Sequence, residues 1–294
     1  MLEKSLKPWI LAARPRTLPL SVMPVVVGSA LALQDGFFQP WPALACLAFS
    51  VLAQIGANWG NDYYDFIKGA DTPSRVGPTR AVAAGLVTPA AMRNATYAVL
   101  ALAFAIGCTL IPFGGWPLIV VGVASIVTAL AYTAGPYPLG YHGLGDVAVI
   151  VFFGLIAAPF TYYVQAQSFC LPVWIAGLAI GLMINNVLVV ASARDIQTDS
   201  KAGKHTLAVR FGKRFTEYQY AVSAYAAVAL SWVLWGLGSH FLVVLPTVLL
   251  PLIWNQDSLF RRADIPVDYL HLLKGAARLV VLYGVLLSIG ISIG

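Results

Sequence analysis

The chain has 294 residues, of which 59% are hydrophobic and only 10% are charged. Its mean hydropathy of +0.79 excludes an ordinary soluble domain, in which about a quarter of the residues are charged. The formal net charge is +6. In so apolar a chain the basic residues are expected to set the orientation in a lipid bilayer, so we predict no nucleic-acid partner.

Apolar runs of about 20 residues, the length with which a helix crosses a hydrocarbon core of about 30 Å, recur along the chain. We therefore predict an all-α, polytopic membrane protein, a bundle of nine transmembrane helices in a single domain over residues 1–294. Residues 1–16 have no apolar core of signal-peptide length, so we expect them to be retained as an interfacial segment. The predicted spans are 17–34, 41–65, 89–111, 114–133, 145–166, 171–193, 216–236, 240–256 and 274–293.

The basic residues are distributed on one side of these spans. The first, third, fifth and seventh connections and the tail after the ninth span contain no Lys or Arg, so all 18 lie on the other side. Because basic residues collect on the cytoplasmic side, we expect the N-terminus in the cytoplasm and the C-terminus outside, in the cell inner (cytoplasmic) membrane. Only Asp35 among the acidic residues falls on the far side, so the chemistry is expected to face the cytoplasm.

The first acidic segment, NWGNDYYDFIKGADTPSRVGPTR at residues 58–80, begins in the last turns of the second span. On a helix that turns about 100° per residue, Asn58, Asp62 and Asp65 lie at about 0°, 40° and −20°, so all three project from one face. Two carboxylates about 4 Å apart repel by roughly 4 kcal/mol in a partly buried site, and a divalent cation relieves that repulsion. This spacing therefore favours a metal site.

Three cations, Lys68, Arg75 and Arg80, follow these carboxylates in a loop punctuated by glycine and proline. They are suited to neutralise phosphate oxygens that a metal leaves uncovered. The first acidic segment is therefore interpreted as a diphosphate site. Asp71 stands in the same loop, where it is either a further ligand or a turn former.

The second acidic segment, ARDIQTDSKAGKHTLAVRFGKR at residues 193–214, follows the sixth span and has the same character. Asp195 and Asp199 are one helical turn apart, with Arg194, Lys201, Lys204 and Arg210 around them. A lone Asp at a helix end is commonly a solvated cap. Two matched segments instead favour a functional site. An Asp placed toward the centre of a membrane helix costs about 2.5–3.5 kcal/mol, and polar groups buried in a membrane usually mark such a site.

Other polar positions allow two interpretations. Asn185 and Asn186 are better explained by bonds between helices than by metal binding, because Asn185 lies roughly 15 Å along a helix from Asp195. The fourth connection, AYTAGPYPLGYHGLGD at residues 131–146, is either a turn with interfacial tyrosines or an aromatic-lined cap whose ring faces stabilise a cation. No zinc or haem site is predicted, because the three Cys and four His lack ligand spacing.

Together these motifs resemble the UbiA superfamily of intramembrane prenyltransferases, and they are most similar to its naphthoate branch. The resemblance covers nearly the whole chain, and its motifs are ARPRTLPLS (13–21), NDYYDFIKGAD (61–71), SRVGPTR (74–80), GLGD (143–146) and RDIQTDSKAGKHTLAVRFG (194–212). It implies a nine-helix bundle that transfers a polyprenyl group from a polyprenyl diphosphate to 1,4-dihydroxy-2-naphthoate, with Mg²⁺ as cofactor. Other acceptors of the superfamily, 4-hydroxybenzoate and homogentisate, remain the alternative.

The resemblance also implies roles for individual residues. The implied Mg²⁺ ligands and catalytic residues are Asp62, Asp65, Asp195 and Asp199. The implied substrate-binding residues are Asn58, Lys68, Asp71, Arg80, Arg194 and Lys204 for the diphosphate end, and Arg14, Arg16 and Asp146 for the acceptor. The chain departs from the family pattern at Gly69, where the first motif often ends in Asp, and at Ala191 and Ser192, where the second motif usually has an Asn pair.

A transporter is the rival from another functional class. Transporters place their substrate sites near the bilayer midplane, often on broken helices, whereas the charges here collect at helix ends on one side. The sequence therefore favours an enzyme.

Overall fold

A computed structural model of the chain describes residues 6–71, 77 and 79–293. Within that part every regular element is helical, so the predicted all-α class is confirmed. The first six helices are α1 (Lys7–Ala13), α2 (Leu18–Gln34), α3 (Pro40–Ile67), α4 (Pro89–Cys108), α5 (Ile111–Gly114) and α6 (Pro117–Ala131). Proline stands in the first turn of each of them, where its missing N–H removes no helical hydrogen bond.

The second half of the chain begins with a short 3₁₀ turn at Leu139–Tyr141. A π-helical stretch, Ile150–Ala157, joins α7 to α8, and a 3₁₀ stretch, Phe241–Leu249, precedes α12. The remaining helices are α7 (Gly145–Val149), α8 (Ala158–Ala166), α9 (Leu171–Arg194), α10 (Ile196–Lys201), α11 (Leu207–Gly236), α12 (Leu250–Arg262) and α13 (Pro266–Ser292).

The chain is a multi-pass membrane protein. Six of its described helical stretches are long and apolar enough to cross a bilayer, and α1 with α2, bent by 55° between them, adds a seventh if the pair is one span. Of the other predicted spans, the fourth corresponds to α6, which has only 15 residues, and the seventh lies in α11, whose first three turns carry four charged residues. The number nine therefore stays a prediction.

Helix α9 lies at the centre of the bundle, packed against α11, α13 and the π-helical stretch. Glycine makes the last contact possible, because a Cβ on Gly154 would lie 2.8 Å from the carbonyl oxygen of Gly177. Small residues let membrane helices approach this closely. The approach brings Phe152 and Phe153 of the π-helical stretch to the wall of the main cavity.

A small apolar cluster fixes the segment after α3. Ala81 and Val82 are buried with Ala12 of α1 and Met92 of α4, and Trp9 packs against them. The cluster joins the chain's first helix to the end of the first acidic segment. It therefore holds the backbone of residues 81 and 82 next to the last turns of α3.

Candidate active site

The last turns of α3 present the predicted polar face. Asn58, Asp62 and Asp65 are all buried, with relative exposures of 3%, 1% and 2%, and all three line the same cavity. Their partners differ. Asn58 donates through Nδ2 to the carbonyl oxygen of Ala13 at 2.9 Å, which ties the end of α1 to α3. Asn58 thus positions the N-terminal segment as well as lining the cavity.

Asp62 anchors the loop that follows α3. Its Oδ2 accepts the N–H of Ala81 at 3.0 Å and its Oδ1 accepts the N–H of Val82 at 2.9 Å. A carboxylate oxygen offers two lone pairs, so each oxygen of Asp62 can accept a further contact from the cavity side. Asp62 therefore serves the fold and also lines the cavity.

Asp65 is the point at which three distant segments meet. Arg80 donates to its Oδ2 at 3.0 Å, Tyr141 donates to its Oδ1 at 2.8 Å, and Lys204 lies 3.2 Å from the same Oδ1. The structure thus brings the two acidic segments together, although 139 residues separate Asp65 from Lys204. Arg80 also lies 3.3 Å from Asp71, and its side chain is only 9% exposed. Arg80 therefore lies between two carboxylates and links Asp65 to the loop that follows α3.

Tyr141 also contacts both lysines of the site. The ammonium groups of Lys68 and Lys204 lie 4.8 Å and 4.7 Å from its ring centroid, within the range of a cation–π interaction. Lys68 donates as well to the carbonyl oxygen of Thr133 at 2.6 Å. Burial, with the charge of Asp65, raises the pKa of Tyr141, so its phenol stays a hydrogen-bond donor. Burial lowers the pKa of Lys68, against the opposing effect of Asp65.

The second acidic segment begins where α9 ends. Arg194 donates two hydrogen bonds to the carboxylate of Asp195, at 2.7 Å and 2.6 Å, in the bidentate geometry typical of an arginine and a carboxylate. The N–H of Asp199 donates to the carbonyl oxygen of Asp195 at 2.7 Å, so one helical turn separates the two residues, as the sequence predicts. Both carboxylates line the same cavity as Asp62 and Asp65.

The cavity itself has a volume of about 490 Å³. Its lining along α3 runs from Cys46 to Asp65, which at 1.5 Å per residue is about 28 Å. Its charged side chains, which include Arg14, gather with Asp65 at one end, while apolar side chains from α4, α6, α8 and the π-helical stretch line the rest. A cluster that contains Leu110 and Val164 packs at the far end. The cavity is a long, mainly apolar channel with a charged end.

The structure does not bring every predicted residue to this cavity. Arg16 is exposed and Asp146 is buried elsewhere, where it accepts hydrogen bonds from Asn185 at 3.1 Å and Gln219 at 2.6 Å. Neither residue lines the cavity, and their contact with the acceptor stays a prediction. Asn185 does bond between helices, as predicted, and so does Asn186, whose Nδ2 donates to the carbonyl oxygen of Tyr220.

Two further predicted residues lie around the cavity wall. Lys68 and Asp71 contact its lining residues without lining it themselves, and Arg75 lies outside the described residues. Tyr141 was not among the site residues predicted from the sequence. The sequence feature that could have indicated Tyr141 is the tyrosine-rich fourth connection, for which an aromatic cap over a cation was one of two interpretations.

The donor set fits a divalent metal. Asp62, Asp65, Asp195 and Asp199 supply carboxylate oxygens around one cavity, and these are the ligands that Mg²⁺ prefers. No three acidic, His or Cys side chains in the described ranges form a ready cage, but Mg²⁺ is usually held by one or two carboxylates together with substrate phosphates. Among the described residues, four carboxylates and four cations line the cavity, so their formal charges cancel.

Known proteins resemble the chain over most of its length. The 1,4-dihydroxy-2-naphthoate octaprenyltransferase of Haemophilus influenzae is 33% identical over all of this chain and 98% of its own length. The enzymes with the same name from Escherichia coli and Mycobacterium tuberculosis are 39% and 41% identical, over 70% and 77% of this chain and 68% and 77% of their own lengths.

Solved structures share the fold. A UbiA homologue from Aeropyrum pernix superposes with a TM-score of 0.70 at 16% identity, over 94% of this chain and 98% of that one. A UbiA homologue from Archaeoglobus fulgidus bound to DMAPP and Mg²⁺ gives 0.64 at 16% identity, over 96% and 99%. Residues 21–266 match the UbiA prenyltransferase family. The resemblance seen in the motifs is therefore confirmed, and the chain belongs to the UbiA prenyltransferase family.

Proposed function

We propose that this chain is a membrane prenyltransferase that transfers a polyprenyl group from a polyprenyl diphosphate to 1,4-dihydroxy-2-naphthoate. Diphosphate and CO₂ leave, and the product is the quinol form of demethylmenaquinone, so the reaction is a step of menaquinone biosynthesis. One observation carries the proposal. The two acidic segments meet, through Lys204 and Asp65 at 3.2 Å, at one end of a cavity whose remaining wall is mainly apolar.

That shape matches an amphipathic donor. The diphosphate belongs at the charged end, and the polyprenyl chain extends along the stripe of α3 that lines the cavity for about 28 Å. Burying an apolar chain there is favourable at about 25 cal/mol per Å² of area removed from water. The names of three relatives at 33–41% identity support the naphthoate as acceptor.

The residues at the charged end divide the work. Asp62, Asp65, Asp195 and Asp199 are the Mg²⁺ ligands in this proposal. When bound, the metal supplies Lewis acidity that stabilises the charge of the departing diphosphate. Phosphate oxygens are contacted by the cationic side chains of Arg80, Arg194, Lys204 and the adjoining Lys68. Hydrogen bonds between a cationic side chain and a phosphate oxygen are charge-assisted and therefore strong. Arg14, which lines the same end, is assigned to the carboxylate of the acceptor.

The reaction needs no further cofactor. Departure of diphosphate leaves an allylic cation, and the electron-rich ring attacks it through the carbon that bears the carboxylate. A carbon–carbon bond forms to the prenyl group, the bond to the carboxylate breaks, and its electron pair restores aromaticity as CO₂ leaves. The protein holds ring and cation within about 3–3.5 Å of each other and keeps water away from the cation.

The membrane arrangement is part of the proposal. Nine helices cross the inner membrane, with residues 1–16 at its surface and the charged end of the cavity toward the cytoplasm. What supports this orientation is the one-sided distribution of Lys and Arg. A donor made in the cytoplasm then reaches the site head first, with its chain already in the bilayer.

Mass spectrometry of products tests the function. Purified protein receives a pool of prenyl diphosphates, Mg²⁺ and one of three acceptors: 1,4-dihydroxy-2-naphthoate, 4-hydroxybenzoate or homogentisate. We expect prenylated product only with the naphthoate, none in excess EDTA, and recovery when Mg²⁺ is restored. Turnover of another acceptor in place of the naphthoate would overturn the assignment of the substrate.

A further inference from the structure

Tyr141 belongs to neither acidic segment, yet it contacts both. It ends the 3₁₀ turn Leu139–Tyr141 in the connection after α6. Its hydroxyl donates to Asp65 of the first segment at 2.8 Å, and its carbonyl oxygen accepts the N–H of His205, in the second segment, at 2.7 Å. Two hydrogen bonds from one residue thus fix its ring where the two segments meet.

The ring lies against two cations of different origin. Lys68 follows α3 and Lys204 follows α10, and both ammonium groups are within 5 Å of the ring centroid. Like charges this close repel, and Lys204 contributes to lowering the pKa of Lys68. The negative face of an aromatic ring attracts an ammonium group and thereby offsets part of that repulsion.

An aromatic partner differs from a carboxylate because it leaves the charge of a lysine available to a phosphate group. A carboxylate neutralises a lysine and competes with phosphate for it, whereas a ring attracts the lysine without adding a charge. Lys68 is further held by the neutral carbonyl oxygen of Thr133 at 2.6 Å. Lys68, held by two neutral groups, therefore keeps its positive charge for an incoming anion, and the ring holds Lys204, which also pairs with Asp65 at 3.2 Å, beside it.

We propose that Tyr141 is a positioning residue for the diphosphate: its ring holds the ammonium groups of Lys68 and Lys204 at the charged end of the cavity. The hydroxyl has a separate task, since it orients Asp65 and fixes the ring. This inference rests on the proposed function, because it takes a diphosphate as the anion that the lysines meet.

Binding of inorganic pyrophosphate tests the proposal without turnover. The full chain in detergent is titrated calorimetrically with pyrophosphate in the presence of Mg²⁺. Each cation–π contact contributes about 0.5–1 kcal/mol, so loss of two in Tyr141→Leu should weaken binding about 5- to 30-fold. Tyr141→Phe keeps the ring but loses the hydrogen bond to Asp65, so it should weaken binding less than Tyr141→Leu does. The KM for prenyl diphosphate should rise in Tyr141→Leu, while the KM for the acceptor stays unchanged.

Tyr137 supplies the matched control from the same connection. It is 58% exposed and stacks on His142, with 3.6 Å between ring centroids. Tyr137→Leu should therefore bind pyrophosphate as wild type does. Wild-type affinity in Tyr141→Leu, equal weakening in Tyr137→Leu, or equal weakening in Tyr141→Phe would each overturn the role of the ring.

A second series guards against a variant that does not fold. Phenylalanines with increasing fluorination at position 141 keep the shape of the ring while reducing the negative charge on its face. Affinity for pyrophosphate should fall stepwise with fluorination, and a flat series would refute the proposal. Failure of the wild type to bind pyrophosphate with Mg²⁺ would instead refute the diphosphate site itself, so the two outcomes are distinguishable.

Discussion

Asp62→Asn is expected to damage the fold as well as the chemistry. The side chain is 1% exposed, and its two oxygens accept the N–H groups of Ala81 and Val82 at 3.0 Å and 2.9 Å. An asparagine has one oxygen, so its NH₂ group faces the second N–H and leaves it buried without an acceptor. Such a group costs about 1–3 kcal/mol, so the free energy of unfolding should fall by about that amount. Turnover should be lost.

Unfolding by SDS titration in mixed micelles measures the change in stability, and product formation measures turnover. Asp264→Asn is the control, because this carboxylate is 86% exposed and its ion pair with Lys213 contributes at most about 1 kcal/mol. The control should match wild type in both assays. An unchanged free energy of unfolding in Asp62→Asn would refute the anchoring of residues 81 and 82, and retained turnover would refute the assignment of Asp62 to the metal.

Three further predictions address the binding of the acceptor, the pH dependence of the rate and the path of the prenyl chain. Arg14→Met should raise the KM for the acceptor about 10-fold or more, as loss of a charge-assisted hydrogen bond implies, while Arg16→Met, at an exposed position, should not; equal effects would contradict this assignment. Burial lowers the pKa of Lys68, and the affinity that its charge contributes for diphosphate is present below that pKa and lost as pH rises through it. Lys68→Arg should therefore move the alkaline limb of the rate profile to higher pH. An unmoved limb would contradict the role of Lys68 in binding diphosphate. Ala53 lines the cavity about 18 Å along α3 from Asp65. Ala53→Trp should therefore stop turnover of octaprenyl diphosphate and leave turnover of the shorter geranyl diphosphate unchanged. Equal loss of both would mean that the prenyl chain does not follow this stripe of α3.

Local periodicity predicted much of the site because its polar residues lie on helices. The 3.6-residue repeat placed Asn58, Asp62 and Asp65 on one face of α3, and the structure shows all three buried on the wall of one cavity. Asp195 and Asp199 are likewise one turn apart. Helical geometry fixes such relations within one element, so they need no knowledge of packing.

Relations between elements could not be read from the sequence. Spacing alone suggests that the carboxylates repel one another, whereas packing supplies Asp65 with Arg80 and Lys204. The partners of Asp146, on α9 and α11, depend on how three helices meet. The position of Tyr141 depends on the fold of an irregular connection, in which no periodicity constrains a side chain.

Loss of the acceptor's carboxylate is the most direct test of the proposed reaction. Purified protein is given carboxyl-labelled 1,4-dihydroxy-2-naphthoate, Mg²⁺ and geranylgeranyl or longer diphosphates, and released CO₂ is counted against prenylated product. One labelled CO₂ per product is expected, because attack by the carbon that bears the carboxylate expels it. Inactivity with this acceptor, together with turnover of 4-hydroxybenzoate that retains its carboxylate, would contradict it.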